Sequence, residues 1–475
     1  MANILKINND YSYFISNEEK VKRNLWSKMR FRERNYFHNR RYKMKLWDGF
    51  ADFFKIETGK FLTGLLPEVK AALRHWNVKY ELQDEREKIN FLYEQIDKDF
   101  FNQFLPEGKN KIELFDYQVE YINSVIKNRR GIVSSPTGSG KTFSMLGTVK
   151  VLPVATPILI LQNRISLAKQ NYDELMDWKV PHVGGLWGGH FKPNIITVAS
   201  IQSIDKIEKL LPKFKVLLVD EIHDMLSSKP KMAYRKLKNA SIRVAFSATP
   251  FKFGETDPVQ KYNVKGFFGP ILKIKSTESG ILTTGDLQER GILSPSICTF
   301  YPINEPSIPY DIYIDAITRG IAENNYFHKI VVRLAKKQKG RTLILVDRTA
   351  HGDILHKKIK GSLWVRGEDD MDTRKEAILQ LQQKEHVIVI ATQQIFNTGI
   401  NVRTHNLINA ASGQADHQII QRMGRGLRLA DDKEVLNYYD FVFNINDYLL
   451  DHSKKRIKIL QQEGHQVIIK DEIDF

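Results

Sequence analysis

Residues 135–142 read Ser-Pro-Thr-Gly-Ser-Gly-Lys-Thr, and Val-Asp-Glu-Ile-His follows at 219–223. The first string fits the phosphate-loop spacing G-x-x-x-x-G-K-[ST] with Pro136 taken for the first glycine. Gly138 and Gly140 let backbone N–H groups, with those of Thr137 and Ser139, curl around phosphate oxygens, and Lys141 reaches the β- and γ-phosphates. The hydroxyl of Thr142 suits Mg²⁺. The apolar run Gly131-Ile132-Val133 precedes this loop, which predicts strand, loop, then helix. In the second string, Lys215-Val216-Leu217-Leu218-Val219 reads as a buried strand that carries Asp220 and Glu221 to its carboxyl end. That end is where open α/β sheets bind ligands. Asp220 is then expected to hold Mg²⁺ and Glu221 to polarise an attacking water, with ATP and Mg²⁺ as cofactors.

Chemistry of this kind needs a parallel sheet to aim the loops, and the chain supplies the pattern twice. From about residue 112, short β-branched runs alternate with helical segments, which predicts helices on both faces of a parallel sheet. Strands are expected at 131–135, 157–161, 195–199, 215–219 and 242–247. After a less regular stretch near 254–310, a second series is expected at 341–346, 363–365, 386–391, 405–410 and 436–441. The predicted fold class is α/β: two tandem RecA-like parallel-sheet domains preceded by a small basic α+β domain. The expected boundaries are 1–105, 106–275 and 276–475, the last with a short C-terminal extension.

The chain of 475 residues carries 72 Lys+Arg against 55 Asp+Glu, a net charge of +17. Such an excess points to a polyanionic partner. Eleven basic residues lie between Lys20 and Lys45, opposed only by Glu33. Trp26, Phe31, Tyr36, Phe37, Tyr42 and Trp47 are threaded through them, so nucleic acid fits better than a membrane surface. No run of about eighteen apolar residues is present, and the N-terminus lacks the layout of a signal peptide. Cys298 is the only cysteine. It excludes an internal disulfide and a thiolate metal cluster and fits a reducing cytoplasm.

Further strings complete an ordered set. Phe115-Asp116-Tyr117-Gln118 precedes the phosphate loop, and Gln162-Asn163-Arg164 follows the strand at 157–161. Ser247-Ala248-Thr249 ends the first half. Arg341 to Asp347, Val387 to Thr392 with Asn397-Thr398-Gly399-Ile400-Asn401, and Gln418 to Arg428 lie in the second half. Over residues 112 to 445 this order resembles the motif set of the superfamily 2 DExH helicases. The resemblance implies that Gln118 reads the adenine edge, that Gly399 belongs to the nucleotide site, and that Gln421, Arg425 and Arg428 act from the second domain, with arginines neutralising charge on the transferred phosphoryl group. Ser247 and Thr249 would link phosphate state to domain closure, although each also suits a capped helix start. Asn163, Arg164, Thr197, Gln202, Arg348 and Thr392 would hold nucleic-acid backbone, and each also suits a turn or cap. Two departures stand out: Phe115 occupies a position where many relatives carry Arg, and Asn401 replaces a common Asp.

Tyr42 to Phe50 and Phe61 to Pro67 look like the N-terminal duplex-binding module of UvsW-type phage helicases. This implies a branch-migration helicase on forked or junction DNA, working as a monomer in the host-cell cytoplasm if phage-encoded, with possible replication or recombination protein partners and no membrane. Arg40, Arg41 and Lys43 are the expected duplex contacts. A restriction-complex motor subunit, an RNA helicase, or a binding module with a vestigial ATPase are the alternatives.

Overall fold

The strands Ile4–Ile7 and Tyr11–Ile15 bury every second residue, so one face of the sheet they begin is sealed and the other is not. They lie at the centre of a four-stranded sheet in the order Lys60–Leu62, Tyr11–Ile15, Ile4–Ile7, Glu81–Asp84. Leu5 and Phe14 pack there against Val21 and Leu25 of helix Glu19–Lys28, and against Val69 and Leu73 of helix Leu66–His75. This is the small α+β domain. The computed structural model describes residues 3–105, 110–251, 257–307, 312–392, 404–411 and 435–475.

The chain forms two compact units. One comprises the residues up to Ser135 with Gly140–Ile281; the other comprises Leu282 onward with the tetrapeptide Pro136–Ser139. In the first, a seven-stranded sheet runs His190–Lys192, Val183–Trp187, Ile196–Ser200, Ile158–Gln162, Val216–Asp220, Ile242–Ser247, Arg130–Ser134. All neighbours are parallel except the first pair. The central strands Ile158–Gln162 and Val216–Asp220 are near-continuous Ile/Leu/Val runs, as strands covered on both faces are. Five expected strands are present within one residue of their predicted bounds. Val183–Trp187 and His190–Lys192 were not expected, since two glycines erase the hydrophobic signature of the former.

The second unit holds another seven-stranded sheet, wholly parallel: Leu363–Val365, Val387–Thr392, Arg341–Val346, Asn406–Asn409, Leu436–Phe443, Ser296–Ile303, Gln466–Ile469. Two of its strands were not expected. The stretch near 254–310 is more regular than its sequence suggests, containing helix Pro258–Phe268 in the first unit and strand Ser296–Ile303 in the second. Proline is rare inside strands because it lacks an N–H. Here Pro302 lies beyond Phe300, where pairing with the edge strand Gln466–Ile469 stops. Within this unit Asp440, fully buried at mid-strand, meets Arg456 at 2.9 Å. Tyr438 and Asn409 also donate to its carboxylate.

The small domain packs within the first unit against helix Pro258–Phe268 and the strand Arg130–Ser134. A Cβ added at Gly64 would stand 2.0 Å from the carbonyl oxygen of Lys265, so only glycine permits this backbone approach. Lys265 pairs with Glu68 at 2.9 Å, and Arg130, buried, donates to the carbonyls of Phe267 and Asn9. Burial holds the Arg130 guanidinium well below its ordinary pKa.

Candidate active site

Register brings the chemistry of the first unit to one edge. Val219 pairs with Leu161, and Asp220 with Phe246, so Gln162, Asp220 and Ser247 leave their parallel strands at the same level. After Asp220 the chain turns sharply: Glu221 has φ +49°, the left-handed region that non-glycine residues seldom occupy. Strain of this kind gathers at functional sites because surrounding contacts must enforce it. Here the contacts are visible. The Glu221 N–H donates to Asp220 Oδ1 at 3.0 Å, and Lys141 Nζ lies 3.1 Å from Glu221 Oε1. Ser247 Oγ donates toward Glu221 Oε2 at 3.4 Å and lies 2.9 Å from His223 Nδ1. The Thr249 N–H donates to Ser247 Oγ at 3.1 Å.

The same network reaches outward. His223 Nε2 is 3.7 Å from Asp224, whose Oδ2 accepts from Asn163 Nδ2 at 2.9 Å. Gln202 Nε2 donates to the Asn163 carbonyl at 2.7 Å. A continuous polar chain thus runs from Gln202 and Asn163 through Asp224, His223 and Ser247 to Glu221 and Lys141. His223 was not singled out from the sequence. Its position in Asp-Glu-Ile-His, three residues after the acid of a strand end, was the available signal. Gln162, read as part of a backbone-contacting string, instead directs Nε2 to Asp220 Oδ2 at 3.5 Å.

Asp220 is pushed up to about 6, chiefly by burial and then by the adjacent Glu221 carboxylate, with Lys141 opposing. A cation beside Asp220 would relieve both effects. Among the described residues no three His, Cys, Asp or Glu side chains are grouped to hold a metal by themselves. An ion at Asp220 would therefore complete its shell from Thr142, water and phosphate oxygens, as Mg²⁺ prefers.

The loop has the matching character. Counting back from Lys141, the first glycine position of the motif falls on Ser135; Pro136 is one residue further along, a correction to the expected alignment. Gly138 has φ +90° and Gly140 φ +75°. Ser139 Oγ donates to the Pro136 carbonyl at 2.7 Å, and Thr137 Oγ1 is buried without a hydrogen-bond partner. Gly140 begins helix Lys141–Lys150, and a Cβ there would meet Gln118 Nε2 at 2.5 Å. Gln118 itself is buried. Its Oε1 accepts from the Phe115 N–H, and its Nε2 lies 3.5 Å from the Gly140 carbonyl. In this structure Gln118 grips the loop.

Other expected residues stand apart from this cluster. Thr197 is fully buried, with Oγ1 donating to the Asn194 carbonyl at 2.6 Å, so no phosphate reaches it. Arg164 precedes helix Ile165–Asp177, where its backbone is the N-cap. In the second unit Arg348 donates to Thr318 Oγ1 at 2.8 Å, and the Thr392 hydroxyl is buried at its strand end without a partner. Arg40, Arg41 and Lys43 form an exposed one-turn helix in the small domain. Gly399, Asn401, Gln421, Arg425 and Arg428 lie outside the described residues.

Comparison with known proteins agrees with the motif order. Residues 111–252 match the family described as Type III restriction enzyme, res subunit. The chain is 23% identical over 500 aligned residues to the ATP-dependent DNA helicase UvsW of Enterobacteria phage T4, covering 97% of this chain and 98% of that one. It is 26% identical to the DNA 3′-5′ translocase XPB2 of Sulfurisphaera tokodaii, over 70% of this chain and 82% of the relative. S. cerevisiae Dbp5 bound to RNA and ADP–BeF3 shares the fold with a TM-score of 0.51, at 16% identity and with 76% and 91% of the two chains covered. By its ordered motifs and these likenesses, the chain resembles the superfamily 2 helicases, and within them the UvsW type.

Proposed function

We propose that this chain is an ATP-dependent DNA helicase or translocase that unwinds or branch-migrates forked and junction DNA. The observation that carries the reading is the convergence of Lys141, Asp220 and Glu221 at the carboxyl edge of one parallel sheet. When bound, Mg²⁺-ATP supplies a terminal phosphoryl group for transfer to water. Lys141 and the loop N–H groups would hold its phosphates, and Thr142 and Asp220 the ion. Glu221, oriented by Lys141 and Ser247, would accept the proton of the attacking water. Gln421, Arg425 and Arg428 are assigned to charge neutralisation from the second domain and Gly399 to the nucleotide site, on the motif match. Asn163 and Gln202 sit at the outer end of the polar chain, where a DNA backbone would bear on Glu221 through His223. The host-cell cytoplasm is the proposed place of action; among the described residues no helix is long and apolar enough to cross a membrane.

The likeness to UvsW extends over the small basic domain, whereas the restriction-subunit match stops within the first RecA-like domain. That difference favours the branched-DNA reading over a restriction motor. ATP turnover measured with no nucleic acid, single strands, duplex, fork, four-way junction and RNA tests it. The expected result is strongest stimulation by fork and junction; stimulation by RNA alone, or by none, overturns it.

A further inference from the structure

The small domain contains a segment that its own core does not explain. The two-stranded ribbon Arg30–Arg32 with Phe50–Asp52 is closed by a long tip made of the turn Tyr36–His38 and the one-turn helix Arg40–Lys43. No side chain between residues 33 and 48, all of them described, is buried. Yet the tip holds Tyr36, Phe37, Tyr42, Met44, Leu46 and Trp47. Phe37 is 50% exposed, Met44 54% and Leu46 63%. Contiguous exposed apolar surface of this kind marks an interaction site.

The tip is braced rather than loose. Arg30 lies over the rings of Trp26 and Phe50, 4.4 and 4.3 Å from their centroids. Arg32 lies over Tyr36 and Phe50, both at 4.7 Å. These cation–aromatic layers stiffen the ribbon. At its end, Tyr36 meets Tyr42 edge-on at 4.7 Å, and the Trp47 indole N–H donates to the Phe50 carbonyl at 2.7 Å. A cleft of about 820 Å³ opens there, walled by Phe37, Tyr42, Leu46 and Trp47 and edged by Lys43 and Lys45. Asp48 and Asp52 also line it, and Asp48 is paired with Arg30.

We propose that this cleft receives an unpaired nucleobase at the branch point of DNA. Aromatic walls take the face of any base, and the adjoining ammonium groups take the flanking phosphates, the combination that unpaired strands require. A cationic rim is wrong for a cationic or apolar protein partner and right for a polyanion. The inference rests on the DNA reading above and adds to it the chemical group that is held.

The test uses the full chain with forks that carry 2-aminopurine at the first unpaired position or within the paired arm. Wild type should quench the unpaired probe and leave the paired one unchanged. Phe37→Ala with Leu46→Ala removes exposed side chains and should lose that quenching and weaken fork binding roughly tenfold, in line with the loss of one stacked base. Duplex affinity, the salt slope and DNA-free ATP turnover should stay as in wild type, and Phe37→Trp, which keeps an aromatic face, should keep the quenching. Equal loss on duplex and fork, or unchanged quenching in the double variant, overturns the stacking site while leaving DNA binding intact. Binding to neither fork nor duplex by wild type overturns the DNA reading itself. An unchanged fork affinity with loss of a copurifying protein assigns the tip to a protein partner instead.

Discussion

The two seven-stranded sheets bury carboxylates at different heights, and the height tells what each carboxylate is for. In the first unit Asp220 is the last residue of its strand, and its neighbours supply incomplete compensation: one N–H, one distant amide, and a lysine shared with Glu221. In the second unit Asp440 lies in mid-strand, and Arg456, Tyr438 and Asn409 satisfy both of its oxygens. The under-satisfied acid at a strand end is poised for a ligand, whereas the fully paired acid inside a strand fixes the fold. The histidines divide in the same way. His223 joins the network at the edge, whereas His328 and His351 stack on each other at 4.9 Å in the interior of the second unit.

The largest test of this contrast removes the lysine of the first unit. Lys141→Ala should reduce ATP turnover to background while DNA binding and the melting of both units change little, and Glu221→Gln should still bind nucleotide. Near wild-type turnover in a coupled ATPase assay would dissolve the distinction.

In the second unit the expected damage is to stability. Arg456→Met leaves Asp440 buried without its cation, and breaking such a pair costs about 3–5 kcal/mol. Chemical denaturation should show the second unit unfolding early, with the Lys141–Glu221 site still formed. Equal stability would mean that water replaces the guanidinium.

Acidification should separate the units by sign. Burial pushes His351 down to about 3 and His465 to about 4, so the folded second unit resists protons that the unfolded chain accepts. Their contribution is full above the ordinary value of about 6.5 and is lost as pH falls toward 4, at up to about 1.4 kcal/mol per histidine per pH unit. Asp220, raised to about 6, works the other way: the folded first unit holds that proton more tightly, which adds stability as pH falls from about 6 toward its ordinary value. Hydrogen exchange at pH 7 and pH 5 should show protection lost first in the second unit.

The smallest expected change is at Ser247. Ser247→Ala removes the hydroxyl between His223 and Glu221, a loss of about 1 kcal/mol in stability. Its clearer effect should be to weaken the stimulation of ATP turnover by DNA more than the basal rate; equal loss in both would make Ser247 a structural cap.

The strand framework and the acids of the first unit could be read in the sequence, whereas the buried Asp440–Arg456 pair and the histidines could not, because their partners are far apart in the chain. Parallel strands buried on both faces advertise themselves as apolar runs, which is why ten expected strands are present within two residues of their bounds. Val183–Trp187 hides behind Gly184 and Gly185, and Ser296–Ile303 behind Pro302. Residue types and spacing singled out Lys141, Asp220 and Glu221, and the structure brings these three together at one sheet edge. Direction was not legible: the spacing of Gln162, Thr197 and Gln118 says that they lie near strand or helix ends, but which way each amide or hydroxyl turns depends on contacts far away in sequence. The exposure of the tip was hidden too, since aromatic residues such as Trp47 are more often core than stacking surfaces.

The backbone contact at Gly64 gives the small domain its mechanics. With no side chain between the two backbones at Gly64, and with Glu68 and Arg130 bonded across the same junction, the small domain is held tightly to helix Pro258–Phe268 and strand Arg130–Ser134. It is an arm fixed to the body that carries Lys141, the lysine assigned above to phosphate. Any rotation of that body sweeps the aromatic tip through an arc set by the arm's length. The displacement delivered to a DNA branch would then be fixed by geometry, as with a crank, and lengthening or softening the arm would alter the stroke without touching the fuel.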